Sequence, residues 1–235
     1  MILPIKKTIL ASLAFIVVNW RKIIEISIIP LGFAFPLLLV LPELMELSKQ
    51  LFTGQVDTAI NVPDNTLLYM FLFLYGYALL SINLARLVIF GSASVSALSG
   101  VLEFGRIAKY VGLTMMVGFA IVFPTALTGL LFVQLIVYFL IVPLTLNFVN
   151  VAIGKILNFR WNLPFAVHVN LFFMQVLLPT LFAYLFGSVA EALGISGYIS
   201  MFVQVLIFYW SGVNLAFCYR VIVAKAAADN SAQNP

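Results

Sequence analysis

The chain has 235 residues, of which 64% are hydrophobic, 14% aromatic and only 9% charged, against roughly 25% charged residues in soluble domains. That balance excludes a soluble globular domain and points to a single polytopic membrane domain. The net charge is +4, but the twelve Lys and Arg lie singly or in pairs between apolar runs, where they set topology rather than bind a polyanion, so no nucleic-acid partner is expected.

The first segment, "MILPIKKTILASLAFIVVNWRK", has the look of a signal peptide, with Lys6 and Lys7 before an apolar run from Ile9 to Val18. No small-x-small cleavage site follows. Asn19, Trp20, Arg21 and Lys22 come instead, and the run is shorter than the roughly twenty apolar residues that a span needs. An uncleaved helix over about residues 4–19, lying in the cytoplasmic interface, is the reading, with a cleaved signal or a short tilted span as alternatives.

Six segments reach span length: 23–44, 67–86, 110–128, 130–149, 165–187 and 197–219. The uncharged stretch from Tyr110 to Val149 divides at "TALTGL", where Thr125, Thr128 and Gly129 supply the turn chemistry. With both termini cytoplasmic, every Lys and Arg except Lys49 falls on the cytoplasmic side, as the positive-inside rule requires. Glu43, Glu46, Asp57, Asp64 and Glu191 fall on the outer side. Residues 45–66 form an extracytoplasmic loop and 220–235 a cytoplasmic tail. The three cytoplasmic entries each look like a short amphipathic stretch followed by two spans, and in the middle one Val95, Leu98, Leu102 and Ile107 sit near helical spacing. The expected fold is therefore an all-α bundle of six transmembrane helices, arranged as three hairpins with short cytoplasmic interfacial helices.

Trp20 beside Arg21 and Trp161 beside Arg160 are expected at the headgroup level as interface anchors. Pro30, Pro36, Pro124, Pro143 and Pro179 lie within spans, where each should kink or break its helix and free a carbonyl that a neighbour or water must satisfy. Gly212 and Ala216 offer one small-xxx-small contact.

The sequence carries no P-loop, GxGxxG or GxSxG, and its single histidine excludes the two-histidine zinc motifs. No catalytic residue, metal site or cofactor is assigned. What remains is a set of intramembrane polar residues, each costly in lipid and normally turned to the bundle interior. Glu25, Asn83, Arg86, Asn147, Asn150, His168, Asn170 and Asn214 lie near the cytoplasmic ends of their spans, and Thr114, Gln175 and Gln204 lie deeper. Arg86 reaches the interface and snorkels. Glu25 opens the first span and Arg86 closes the second, so a Glu25–Arg86 ion pair is expected at the membrane edge. Two readings of the set stand side by side. In one, Arg86 anchors the hairpin, His168 is a satisfied hydrogen-bonding residue, and Gln175 and Gln204 join helices. In the other, Glu25, Asn83, Arg86, Asn147, His168, Asn170 and Asn214 wall a cytoplasm-facing polar groove for a headgroup or small solute.

"NWRKIIEISIIPL" before the first span, "ARLVIFG" after the second, "LEFGRIAKYVGL" before the third and "LPFAVHVN" opening the fifth resemble bacterial six-span inner-membrane proteins of the YciC-like kind. That resemblance implies a bacterial inner-membrane location and brings no catalytic residue or substrate. Function is expected to be structural, assembly-related or accessory, in contact with membrane lipids and with other membrane proteins or a second copy of the chain. The alternative is a transporter or lipid-handling protein using the groove and the proline-broken spans.

Overall fold

A computed structural model of the chain describes residues 3–53, 63–192, 194 and 197–233. It is all-helical, with no strand among the described residues. The helices are α1 (Ile5–Val18), α2 (Trp20–Thr53), α3 (Thr66–Phe90), α4 (Phe104–Thr128), α5 (Leu131–Ile141), α6 (Leu146–Ala152), α7 (Phe165–Phe172), α8 (Leu178–Ala192) and α9 (Gly197–Gln233). Six stretches are long and apolar enough to cross a membrane: Trp20–Leu44, Thr66–Phe90, Phe104–Thr128, Phe132–Ala152, Phe165–Ala190 and Phe202–Lys225. Each contains one of the six expected spans or overlaps most of it. The break between the third and fourth falls at Gly129, whose φ of 66° ends α4, as the turn residues there suggested.

α3 is the central helix, packed against α2, α4, α6 and α9. The three turns from Ala78 to Val88 are almost wholly buried. One apolar cluster joins Leu3, Ile26, Leu84, Leu146, Leu171 and Val213; a second joins Ala78, Ile82, Ile107, Leu113 and Ala152. Lipid is as apolar as these side chains, so their burial contributes close packing rather than escape from water. α2 and α3 approach closely at Gly76, where a Cβ would stand 2.5 Å from the Pro30 carbonyl oxygen.

α1 has the expected bounds. Its buried face is turned into the bundle: Ser12 accepts a hydrogen bond from Trp210 Nε1 at 2.9 Å, and Phe15 meets Phe217 edge to face. Leu10, Leu13, Val17 and Val18 form its exposed side.

One expectation is corrected. Short interfacial helices do not precede all three pairs of spans. Before α4 the chain makes one 3-10 turn (Ser92–Ser94) and then bends, and residues 153–164 are irregular. The near-helical spacing of Val95, Leu98, Leu102 and Ile107 misled, because Ser96 and Ser99 close a side-chain turn and Gly100 has a φ of 78°, which stops a helix. Val95 and Ile107 are buried whereas Leu98 and Leu102 are exposed, so these four share no face. α9 runs without a break to Gln233, past the end of the last apolar span at Lys225. α2 likewise continues to Thr53, past the end of the first apolar span at Leu44. Residues 54–62, with Asp57, lie outside the described residues, as do residues 234–235 and the side chains of Glu46, Lys49 and Glu191.

Candidate functional site

The polar side chains gather at the end of the bundle that carries Arg86, and backbone chemistry explains where each one points. Proline has no N–H, so a proline within a helix leaves the carbonyl four residues earlier without its donor. Pro143 does this to Phe139. Its segment tightens into the 3-10 turn Val142–Thr145, and His168 Nε2 lies 2.6 Å from the Phe139 oxygen. A carbonyl only accepts, so Nε2 holds the proton and donates. The imidazole also stacks on the Phe139 ring, with centroids 4.5 Å apart.

Pro179 has a less direct effect. Ahead of it the helix widens to a π-type turn, Phe173–Leu177, and the Leu178 N–H reaches back to the Phe173 oxygen. The Met174 carbonyl loses that donor and, five residues on, meets the ring of Pro179. Asn214, from α9, supplies the missing bond through Nδ2 at 3.3 Å.

Helix ends and loops are tied in the same way. The last carbonyls of a helix lack partners, and at the end of α6 Arg86 Nε donates to the Ala152 oxygen at 2.9 Å. Asn83 Nδ2 donates to the Ser99 oxygen at 2.9 Å, and Tyr75 donates to the Val101 oxygen, so the connection before α4 lies flat on α3. Asn170 Nδ2 donates to the Leu3 oxygen at 3.0 Å, tying α7 to the start of α1. Asn147 holds the irregular segment from both sides: its Nδ2 donates to the Asn158 oxygen at 2.8 Å, and its Oδ1 accepts from the Asn158 N–H at 2.7 Å and from Asn150 Nδ2 at 3.1 Å. Asn150 in turn accepts from the Tyr219 hydroxyl at 2.8 Å.

The expected Glu25–Arg86 pair is replaced by two others. Glu25 pairs with Lys22 one turn earlier, at 3.0 Å. Arg86 Nη2 pairs with Glu103 at 2.7 Å, and Arg106 meets the same carboxylate. Glu103 sits where α4 begins, three residues before Arg106, so the local chain brings it over Arg86. The opening of the first span lies too close to Lys22 for Glu25 to be left for a more distant partner.

Of the other assigned residues, Trp20 is exposed with the Arg21 guanidinium over its ring, 5.4 Å from the centroid, as an interface anchor would be. Arg160 is exposed, but Trp161 turns inward against Tyr219, with ring centroids 6.2 Å apart. Gln175 Nε2 faces Cys218 Sγ at 3.9 Å, joining α9 to the wide turn. Gln204 is exposed on α9 and lines a cavity together with Leu and Phe side chains. Thr114 donates to the Tyr110 oxygen of its own helix. Among the described residues, one cavity is lined by Gln175 and another by Gln204. Glu25, Asn83, Arg86, Asn147, His168, Asn170 and Asn214 line neither. Of the residues considered for a groove, Asn83, Arg86, Asn147, His168, Asn170 and Asn214 each donate to or face a backbone carbonyl, and Glu25 pairs with Lys22. Only the partner of His168 carries a sequence signal: Phe139 is four residues before Pro143.

His168→Phe keeps the stack on Phe139 and removes the donor, so it is expected to destabilise the protein by about 1–2 kcal/mol, the cost of one unsatisfied buried carbonyl. Pro143→Ala restores an N–H to that carbonyl. In thermal unfolding the double variant should therefore recover most of the loss, and strictly additive single effects would show that the histidine does not serve the proline.

The fold and this network define a multi-pass helical membrane protein by length, apolarity and internal satisfaction of its backbone. No protein-family model matches the chain, and no curated protein or solved structure matches it either.

Proposed function

We propose that the chain is an accessory component of a bacterial inner membrane, one that supports or assembles other membrane proteins rather than moving a charged solute. In this reading both termini are cytoplasmic, the spans form three hairpins, and the chain is related to the YciC-like inner-membrane proteins. One observation carries the proposal: Arg86, Asn147, His168, Asn170 and Asn214 each bond to a carbonyl of this chain. Groups committed to the backbone hold the bundle in one shape, and a carrier of polar solutes would present them to a cavity. The outward faces, with Phe35, Phe71, Phe119, Phe132 and Phe186 exposed, offer apolar contact to lipid and to neighbouring spans.

The test is crosslinking in intact native membranes, then purification of the tagged full-length chain in mild detergent and mass spectrometry. A protein partner recovered at fixed stoichiometry, and lost when outward phenylalanines are replaced, is the expected result. A solitary chain carrying a polar solute that disappears on Arg86→Ala would overturn the proposal in favour of a carrier.

A further inference from the structure

The middle of the bundle is organised differently from its charged end. Between α3, α4, α5, α6, the wide turn and α9 lies a partly open cavity of about 230 Å3. No charged side chain lines it, and none of its lining residues is exposed on the outer surface. Several of its polar groups have neighbours in this chain: Ser81 lies close to Tyr77 and Tyr110, and Thr145 donates to the Val142 oxygen. Three others differ. Among the described residues, the Tyr138 and Ser211 hydroxyls and the Gln175 side-chain oxygen meet no protein hydrogen-bond partner, and none of them is sealed in as Asn83 Oδ1 and Asn214 Oδ1 are. All three residues line the cavity.

On the far side of Tyr77 and Phe208, whose ring centroids are 5.5 Å apart, lies a second cavity of about 590 Å3 between α2, α3 and α9. Tyr77 and Phe208 line both. The second cavity is walled by Leu37, Leu38, Leu41 and Phe73, and reaches the outer surface of the bundle at Leu31 and Val205, which are exposed.

We propose that the two cavities form one site for an uncharged, single-chain amphiphile. Its oxygen-bearing head sits among Tyr138, Gln175 and Ser211, and its hydrocarbon chain enters the apolar cavity once the touching Tyr77 and Phe208 rings, which wall off one cavity from the other, swing apart. Three properties of the site select this ligand. A bare hydrocarbon leaves the three polar groups unpaired at a cost. A charged head finds no counter-charge at that depth and would be strongly disfavoured. The head cavity is below the roughly 300–1,000 Å3 of ordinary small-molecule pockets whereas the chain cavity is within that range, so a small head on a longer tail fits and a two-chain phospholipid does not. The outer opening faces lipid, from which such a molecule would enter. The inference does not depend on the accessory role.

The full-length protein in phosphatidylcholine nanodiscs, equilibrated with decylubiquinone or with monooleoylglycerol, tests the site and separates a carbonyl head from a hydroxyl head. Bound probe is counted by mass spectrometry against protein-free discs. One probe molecule per chain is expected, with each probe displacing the other. Ser211→Leu fills the head cavity and Leu38→Trp fills the chain cavity, and each should lower retention at least tenfold. Tyr138→Phe removes one hydroxyl with little change of shape and should weaken binding by roughly two- to tenfold. It decides the matter if the filling variants do not fold. Retention no greater than that of empty discs, for both probes, would overturn the proposal, and so would retention that none of the variants changes.

Discussion

Gly76→Ala is expected to lower the thermal stability of the detergent-solubilised protein more than any other single-methyl addition to its helices. The added Cβ would stand 2.5 Å from the Pro30 carbonyl oxygen and 3.1 Å from Phe33 Cβ. Both obstacles belong to the backbone of α2 or lie next to it, so no side-chain rotation relieves them, and α2 and α3 must move apart. Overpacking typically costs about 1–3 kcal/mol, and a rigid obstacle places this site at the top of that range. Gly76→Val should leave little folded protein. Gly112 and Gly118, in α4, have nothing within 4 Å of their added Cβ. Alanine at either position should be neutral or slightly stabilising through helix propensity. If Gly76→Ala melted together with Gly118→Ala, the close approach of α2 and α3 would be refuted.

Arg86→Ala is the second large effect. It strips a donor from the Ala152 carbonyl and a cation from Glu103 in one change. Removing one partner of a fully buried ion pair costs roughly 3–5 kcal/mol. The Arg86 side chain is 13% exposed and Glu103 37% exposed, and Arg106 remains on the carboxylate, so the expected loss is about 2–3 kcal/mol once solvent screening is allowed for. Arg86→Lys should recover only part of it, because a lysine ammonium cannot hold the carbonyl and the carboxylate in the geometry of the guanidinium fork. Glu25→Gln touches only the pair with Lys22 at the helix surface and should change stability by less than about 0.5 kcal/mol. Comparable melting shifts for Glu25→Gln and Arg86→Ala would restore the Glu25–Arg86 pairing and discard the arrangement around Glu103.

Amino-acid sequence determines the helical segments of this chain more directly than their rotation. Six runs of span length are legible because hydrocarbon demands about twenty apolar residues whatever the neighbours are, and Gly129 is legible because few residues accept its backbone angle. The role of His168 was half legible: Pro143 announces an orphaned carbonyl at Phe139, but only packing decides which helix answers it. The Asn214–Met174 bond was not legible at all, since it depends on a wide turn that shifts the hydrogen-bond ladder from four residues to five. Glu103 was overlooked because it lies outside the spans, in a connection whose fold is set by Ser96, Ser99 and Gly100 rather than by hydrophobic period. Gln175 was legible as a deep polar residue, but the cavity around it depends on five helices meeting at chosen rotations.

The length of α9 has a practical consequence. Its 37 residues span roughly 55 Å at 1.5 Å per residue, whereas the hydrocarbon core of a bilayer is about 30 Å thick. From Lys225, where the span ends, to Gln233 the same helix continues for roughly 12 Å. A helical protein grafted in register onto residues 226–233 would inherit the orientation of a span buried against α1, α3 and α8. A small membrane protein without large loops gives electron microscopy little to align on, and this helix offers a stiff mast for a soluble fiducial.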